Sequence, residues 1–214
     1  MSHAPSTVLC YGDSNTHGTK PLLRPGVLER FGEKERWPGL LRSRLGADWR
    51  VIEEGLPART TVHDDPVEGR HKNGLRHLRP CLESQLPVDW LVIMLGTNDL
   101  KARFGLSPAD IAAGLDVLLR EATACAAGPD GGQPALLVMA PVPIAEVGFL
   151  GEIFAGGAAK SAELAPRYAA VAARHGARFL DAGTAAAASP VDGVHYEADA
   201  HARLAAAVAD AIAA

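Results

Sequence analysis

Five short apolar runs punctuate this chain, and each ends at glycine, proline or a polar turn. The first, Val8-Leu-Cys-Tyr11, stops at Gly12-Asp13-Ser14-Asn15. Trp49 to Gly55 is the second, and Asp89 to Leu95, the most apolar, runs into Gly96-Thr97-Asn98-Asp99. Ala135 to Pro141 and Ala177 to Ala182 complete the set. Runs apolar at successive positions fit strands buried on both faces, as in a parallel sheet. Between them the period changes to three and four. Trp37, Leu40, Leu41 and Leu45 predict a helix from near Arg36 to Gly46. A second is read over Leu75 to Leu86, although Pro80 falls inside it. Ser107 and Pro108 open a third as N-cap and first residue, with Ile111, Leu115, Leu118 and Leu119 on its apolar stripe. Alanine-rich helices are expected over Ala158 to His175 and Glu197 to Ala213.

Strands alternating with helices predict a three-layer α/β/α sandwich over residues 1–214, one domain with a flavodoxin-like parallel sheet in the order 2-1-3-4-5. That order brings the carboxyl ends of the first three strands together, where ligands bind in such sheets. Three loops remain irregular: His17 to Lys34, Leu56 to Asn73, and Pro141 to Gly157. The last is rich in large apolar residues, so its exposure would suit a contact between copies of the chain.

Composition narrows the function classes. A chain of 214 residues buries about 70% of its unfolded surface and needs no disulfide or metal to fold. A net charge of -4 gives no footprint for nucleic acid. Cys10, Cys81 and Cys125 form no Cys-x-x-Cys pair, against both a disulfide scaffold and a zinc site. No window reaches the ~18 apolar residues of a membrane span. The first residues show no basic-then-apolar leader, so a cytoplasmic location is expected.

The chemistry gathers at the strand ends. Ser14 at the end of the first strand suits a nucleophile, although Asp13 and Ser14 fit a plain turn or helix N-cap as well. A serine needs a base, and His195, three residues after Asp192 with Gly193 between, is the best placed of the eight histidines. Asp192 would then hold one ring nitrogen while the other points outward. A capping aspartate before a surface histidine explains that spacing equally. Oxyanion donors are sought in the Ser14 N–H, the N–H of Gly55 or Ala58, and the Asn98 amide. Asn98 alone could form an Asx-turn. Asp13, Asn15, His17, Thr97, Val194, Phe154 and Ile153 are candidates for the substrate pocket.

Gly12-Asp13-Ser14-Asn15, Gly55, Gly96-Thr97-Asn98-Asp99 and Asp192-Gly193-Val194-His195 together resemble the four blocks of the SGNH (GDSL-type) hydrolases over about residues 8–200. Glu53 to Thr61, Asp64-Asp65-Pro66, Ile93 to Asp99 and Phe154 to Gly157 resemble its bacterial arylesterase/acyltransferase branch, which includes perhydrolase-acyltransferases. The resemblance implies Ser14 as nucleophile, His195 as base, Asp192 as orienter, and oxyanion donors from Ser14, Asn98 and either Ala58 or Gly55. It also implies small acyl esters as donors, alcohol or peroxide beside water as acceptors, no cofactor or metal, and a homo-oligomer with a restricted apolar entrance. The branch often carries tryptophan shortly after the nucleophile. Thr16-His17-Gly18 stands there instead, and a polar His17 implies a wider or wetter acyl pocket.

Other readings remain. A carbohydrate acetylesterase or thioesterase would use the same residues. A metal-dependent phosphohydrolase would ligate its ion with Asp13, Asp99, Asp192 and His195, but lacks the usual His-x-His pattern. A non-enzymatic flavodoxin-like binding module, or a phosphoacceptor at Asp13, leaves Asn98 and the Asp192–His195 pair unexplained.

Overall fold

The first apolar run folds as β1 (Ser6–Gly12), and after Asp13 the chain turns directly into the four-residue α1 (Ser14–His17). The computed structural model describes residues 5–214. It continues through α2 (Trp37–Leu45), β2 (Trp49–Gly55), α3 (Gly74–Gln85), β3 (Trp90–Met94), α4 (Pro108–Ala124) and β4 (Ala135–Ala140). Two helices, α5 (Gly157–Ser161) and α6 (Leu164–Arg174), precede β5 (Arg178–Asp181), and α7 (Ala198–Ala213) follows. All strand pairs are parallel and the sheet order is β2-β1-β3-β4-β5, as the alternation of periods predicts.

The runs of apolar residues are explained by two cores, one on each face. Leu9 and Tyr11 point into the core that β3 and β4 share with α3, α4 and α6. Val8 and Cys10 point the other way, against Trp37 and Leu41 of α2 and Leu204 and Val208 of α7. With both faces covered, β3 and β4 carry apolar side chains throughout, and polar residues begin where the chain leaves the sheet. Each fully buried Leu or Val contributes about 1.5–3 kcal/mol, so the strand ends stand on a rigid base. Gly12, last in β1, is paired with Gly55 of β2 on one side and Met94 of β3 on the other. Polar residues after those three strands therefore converge.

Several expectations change in detail. The helix expected over Ala158 to His175 is broken, because Pro166 lacks the N–H that would reach the Ala162 carbonyl. The chain restarts as α6, with Pro166 in its first turn where no partner is needed. Pro80, by contrast, sits inside an unbroken α3 on its exposed face, where water can satisfy the freed carbonyl. Ser107 caps α4 as expected, in a reciprocal box with Asp110. The largest correction concerns Pro141 to Gly157. Val142, Ile144, Leu150 and Phe154 are buried against the chain's own core, and only Val147 and Ile153 stand out to solvent. The loop closes over the sheet edge because burying four large side chains locally outweighs leaving them wet. Among the described residues no helix is long and apolar enough to cross a membrane.

Candidate active site

Ser14 opens α1 directly after β1, so its N–H is one of the unpaired donors of a helix start. Asp13 caps the turn by accepting the Asn15 N–H at 2.9 Å. The capping reading of Asp13 thus holds, and it presents Ser14 rather than competing with it. On the far side of the chain, Gly193 (φ 72°) makes the turn between Asp192 and His195. A Cβ there would lie 1.9 Å from the Ala145 carbonyl oxygen, so only glycine lets the turn pack against that loop. The Asn15 side-chain amide donates to the Val194 carbonyl at 3.2 Å and ties the two turns together.

The three side chains then form a line. His195 Nε2 lies 3.0 Å from Ser14 Oγ, and His195 Nδ1 lies 2.6 Å from Asp192 Oδ2. The carboxylate fixes the proton on Nδ1, leaving Nε2 to accept from the serine hydroxyl. Asp192 is fully buried and accepts three backbone N–H groups besides: Val194 at 3.0 Å, His195 at 2.9 Å and Leu22 at 2.6 Å. Burial by itself would raise its pKa. The hydrogen bonds and charge of His195, with the Leu22 and His195 N–H groups, outweigh burial and hold it at about 2.

The oxyanion candidates separate. Ala58 lines the cavity beside Ser14 with φ 68°, a left-handed conformation unusual for alanine, and its N–H meets no backbone acceptor among the described residues. Gly55 is not in the cavity wall. A Cβ on it would lie 2.1 Å from the His17 nitrogen, so it is glycine to let β2 approach α1. Asn98 follows β3 in a single 3-10 turn and lines the cavity too. Its Nδ2 donates to the Arg59 carbonyl at 3.1 Å and lies 3.4 Å from Asp13 Oδ2. Arg59, buried, braces the Ala58 turn by donating to the carbonyls of Gly12 (2.9 Å) and Glu54, with its guanidinium 4.2 Å from the Tyr11 ring centre.

Asp13 differs from Asp192 in state. Burial raises its pKa to about 6, opposed by the Asn15 N–H and His195 and reinforced by Asp99. Asp99 is also raised by burial, against hydrogen bonds from the Thr61 hydroxyl and N–H.

Ser14, Ala58, Asn98 and His195 open on a cavity of about 160 Å³, with Leu22, Leu28, Leu150, Ile153, Phe154 and Val194 in its apolar wall. That space equals roughly five water volumes, enough for a short acyl chain. Of the pocket candidates, Val194, Phe154 and Ile153 line it, whereas Asp13, Asn15, Thr97 and His17 lie outside it. The His17 backbone packs against Gly55 of β2, and its Nδ1 pairs with Thr19 Oγ1 at 3.1 Å. The wetter pocket expected from His17 is therefore not formed. A larger hollow of about 560 Å³ shares only Leu22 with the cavity and contains no member of the Ser14–His195–Asp192 line. The four ligands of the phosphohydrolase reading are not gathered either. The one trio of possible metal ligands among the described residues is Glu54, His77 and Cys81. Sequence reasoning missed Leu22, whose contribution is a backbone N–H, and the polar pair Glu68 and Lys101 in the cavity wall. Neither carries a motif.

Residues 10–205 match the model of the GDSL-like lipase/acylhydrolase family. Among solved structures, the chain is similar to the M. smegmatis aryl esterase, at 42% identity and TM-score 0.92, covering 97% of this chain and 98% of that one. A carbohydrate acetylesterase from Sinorhizobium meliloti is 41% identical at TM-score 0.92, with the same coverage. A second carbohydrate acetylesterase family member from that organism is 34% identical at TM-score 0.87, covering 97% of each chain. No curated protein sequence matches.

Proposed function

Because the chain belongs to the GDSL-like lipase/acylhydrolase family, we propose that it cleaves small acyl esters through an acyl-enzyme on Ser14. The protein is a carboxylic ester hydrolase. The observation that carries the residue-level reading is the unbroken line from Ser14 Oγ through His195 to Asp192, at 3.0 and 2.6 Å. His195 Nε2 takes the serine proton as Oγ attacks the ester carbonyl. The Ser14 and Ala58 N–H groups and the Asn98 amide receive the developing oxyanion. Asp192, held ionised by its donors, stabilises the imidazolium. His195 then returns the proton to the leaving alcohol, and the acyl-enzyme is resolved in a second addition.

Water or an alcohol (or peroxide) completes the cycle. Apolar walls such as Leu22, Leu28, Ile153 and Phe154 favour an alcohol, which gains burial that water does not. Transfer beside hydrolysis is therefore part of the proposal. A homo-oligomer is too. Its support moves from the Pro141 to Gly157 loop to Leu23, Leu28 and Val67, exposed at 84%, 57% and 71%. Leu28 lines the cavity and Val67 precedes Glu68 in its wall, so a second copy seated there would narrow the entrance. Likeness to carbohydrate acetylesterases supports acetylated sugars as the second substrate reading.

The test is phenyl acetate turnover with and without excess alcohol, with mass spectrometry of the quenched protein. Acetyl on the Ser14 peptide and a new ester product are expected, from a particle whose mass is a multiple of 22.4 kDa. Hydrolysis with no acyl-serine overturns the covalent route. Release of acetate alone, from a 22.4 kDa particle, leaves a monomeric hydrolase.

A further inference from the structure

One stretch of the cavity wall is unlike the rest. Where Leu22, Leu28 and Phe154 present hydrocarbon, Glu68 and Lys101 present charge. Lys101 lies three residues after Asn98, and its side chain is only 4% exposed. Its ammonium is held by Glu68 Oε1 at 2.5 Å and Asp65 Oδ2 at 3.6 Å. Arg103 stands 2.9 Å from the same Glu68 oxygen and 3.6 Å from the same Asp65 oxygen. Asp65 Oδ1 accepts the Val67 and Glu68 N–H groups at 2.8 and 3.0 Å, which fixes the turn that presents Glu68.

Lys101 and Arg103 face Asp65 and Glu68, with Lys72 close by, so most of the charge here is paired within the wall itself. What it offers is one acceptor beside one donor. Glu68 Oε1 receives both hydrogen bonds, while Oε2 receives none among the described residues. Lys101 carries three N–H donors and spends one on Glu68. A hydroxyl group, donor and acceptor at once, matches that pair. Hydrocarbon placed there strips water from both groups and returns nothing. Glu68 is about a third exposed and Lys101 lies buried behind it, so the Glu68 carboxylate faces the solvent side of the wall, the direction in which a leaving alcohol has to pass.

We propose that Glu68 and Lys101 form a subsite for hydroxyl groups on the alcohol portion, so that these two residues set the preference between hydroxylated and plain alcohol groups. The proposal rests on the hydrolase reading above and adds the residues that choose the alcohol.

Propyl acetate and glycerol monoacetate share an acyl group and a three-carbon alcohol, and differ only by two hydroxyls. An apolar cavity alone favours propyl acetate, whereas the subsite gives glycerol monoacetate the higher kcat/KM, expressed mainly in a lower KM. In Glu68→Ala and Lys101→Met that preference falls by about tenfold or more, as the loss of a hydrogen bond to a charged group predicts. Circular dichroism and thermal melts report whether each variant folds, and the parent's own preference tests the proposal if one does not. A parent that favours propyl acetate overturns the subsite, as does an equal loss on both esters in folded variants. No turnover of either ester or of phenyl acetate would overturn the hydrolase reading and the subsite with it.

Discussion

Asp13 and Asp192 both lie buried beside the serine–histidine pair, one in the turn after β1 and the other in the loop before α7. Their surroundings push them in opposite directions. Asp192 is held at about 2 because three backbone N–H groups and the His195 ring donate to it. Asp13 receives one backbone N–H at 2.9 Å and faces the Asn98 amide at 3.4 Å, so burial prevails and lifts it to about 6. Both side chains are closed to solvent, but Asp13 lies deeper in the protein than Asp192, and that depth together with the number of donors decides which is ionised. The 192–195 loop is arranged to keep a charge next to the His195 ring. The turn at Asp13 is arranged to present Ser14 to His195, and accepts an electrostatic cost in doing so.

Asp192→Asn should break the comparison most deeply. It removes the charge and leaves the imidazole free to take the other tautomer, so kcat should fall by about 10⁴-fold while the fold persists. Steady-state turnover of phenyl acetate together with a thermal melt checks this, and retention of most activity would reduce Asp192 to a cap for its own turn. Asn98→Ala removes the side chain that meets both Arg59 and Asp13. A loss of about 10²–10³-fold in kcat, with KM little changed, is expected if its amide receives the oxyanion. Loss in KM alone would make Asn98 a binding residue.

The smallest effect is on stability. The folded pKa of Asp13 is raised, so its contribution is fully present below about pH 4 and is lost as pH rises through about 6, by up to about 3 kcal/mol. Asp13→Asn should remove that dependence. In urea melts at pH 4, 5.5 and 7, the parent should lose ground to Asp13→Asn as pH rises. Asp192 has the opposite sign. Its contribution is present above about pH 4 and lost as pH falls through about 2, so Asp192→Asn should show a nearly constant deficit between pH 5 and 7. Two parallel parent–variant curves would mean that both carboxylates are ionised alike.

Much of this site was legible from local pattern. Ser14, Asn98 and His195 each stand directly after a strand or shortly before a helix, where the apolar period stops, and glycines mark the turns. Ala58 is different. Nothing in Leu56-Pro57-Ala58-Arg59 announces a left-handed alanine, which is held by Arg59 reaching back to the Gly12 and Glu54 carbonyls. Leu22 was invisible for a similar reason, since its part is a backbone N–H given to a carboxylate 170 positions away. His17 misled because its distance from Ser14 along the chain says nothing of the Thr19 hydroxyl that its ring pairs with outside the cavity.

The sequence by itself determined the element order, the double-faced burial of the strands and therefore the convergence of three strand ends, because hydrophobic period is a local property that the sheet must satisfy. Tertiary structure decided the rest. It set Ala58 rather than Gly55 in the cavity wall, folded the Pro141 to Gly157 loop inward, shifted two aspartates in opposite directions and set Glu68 and Lys101 in the same wall. Each of these depends on which donors and apolar surfaces arrive from elsewhere in the chain, and dielectric, hydrogen-bond count and shape exist only after those segments have met.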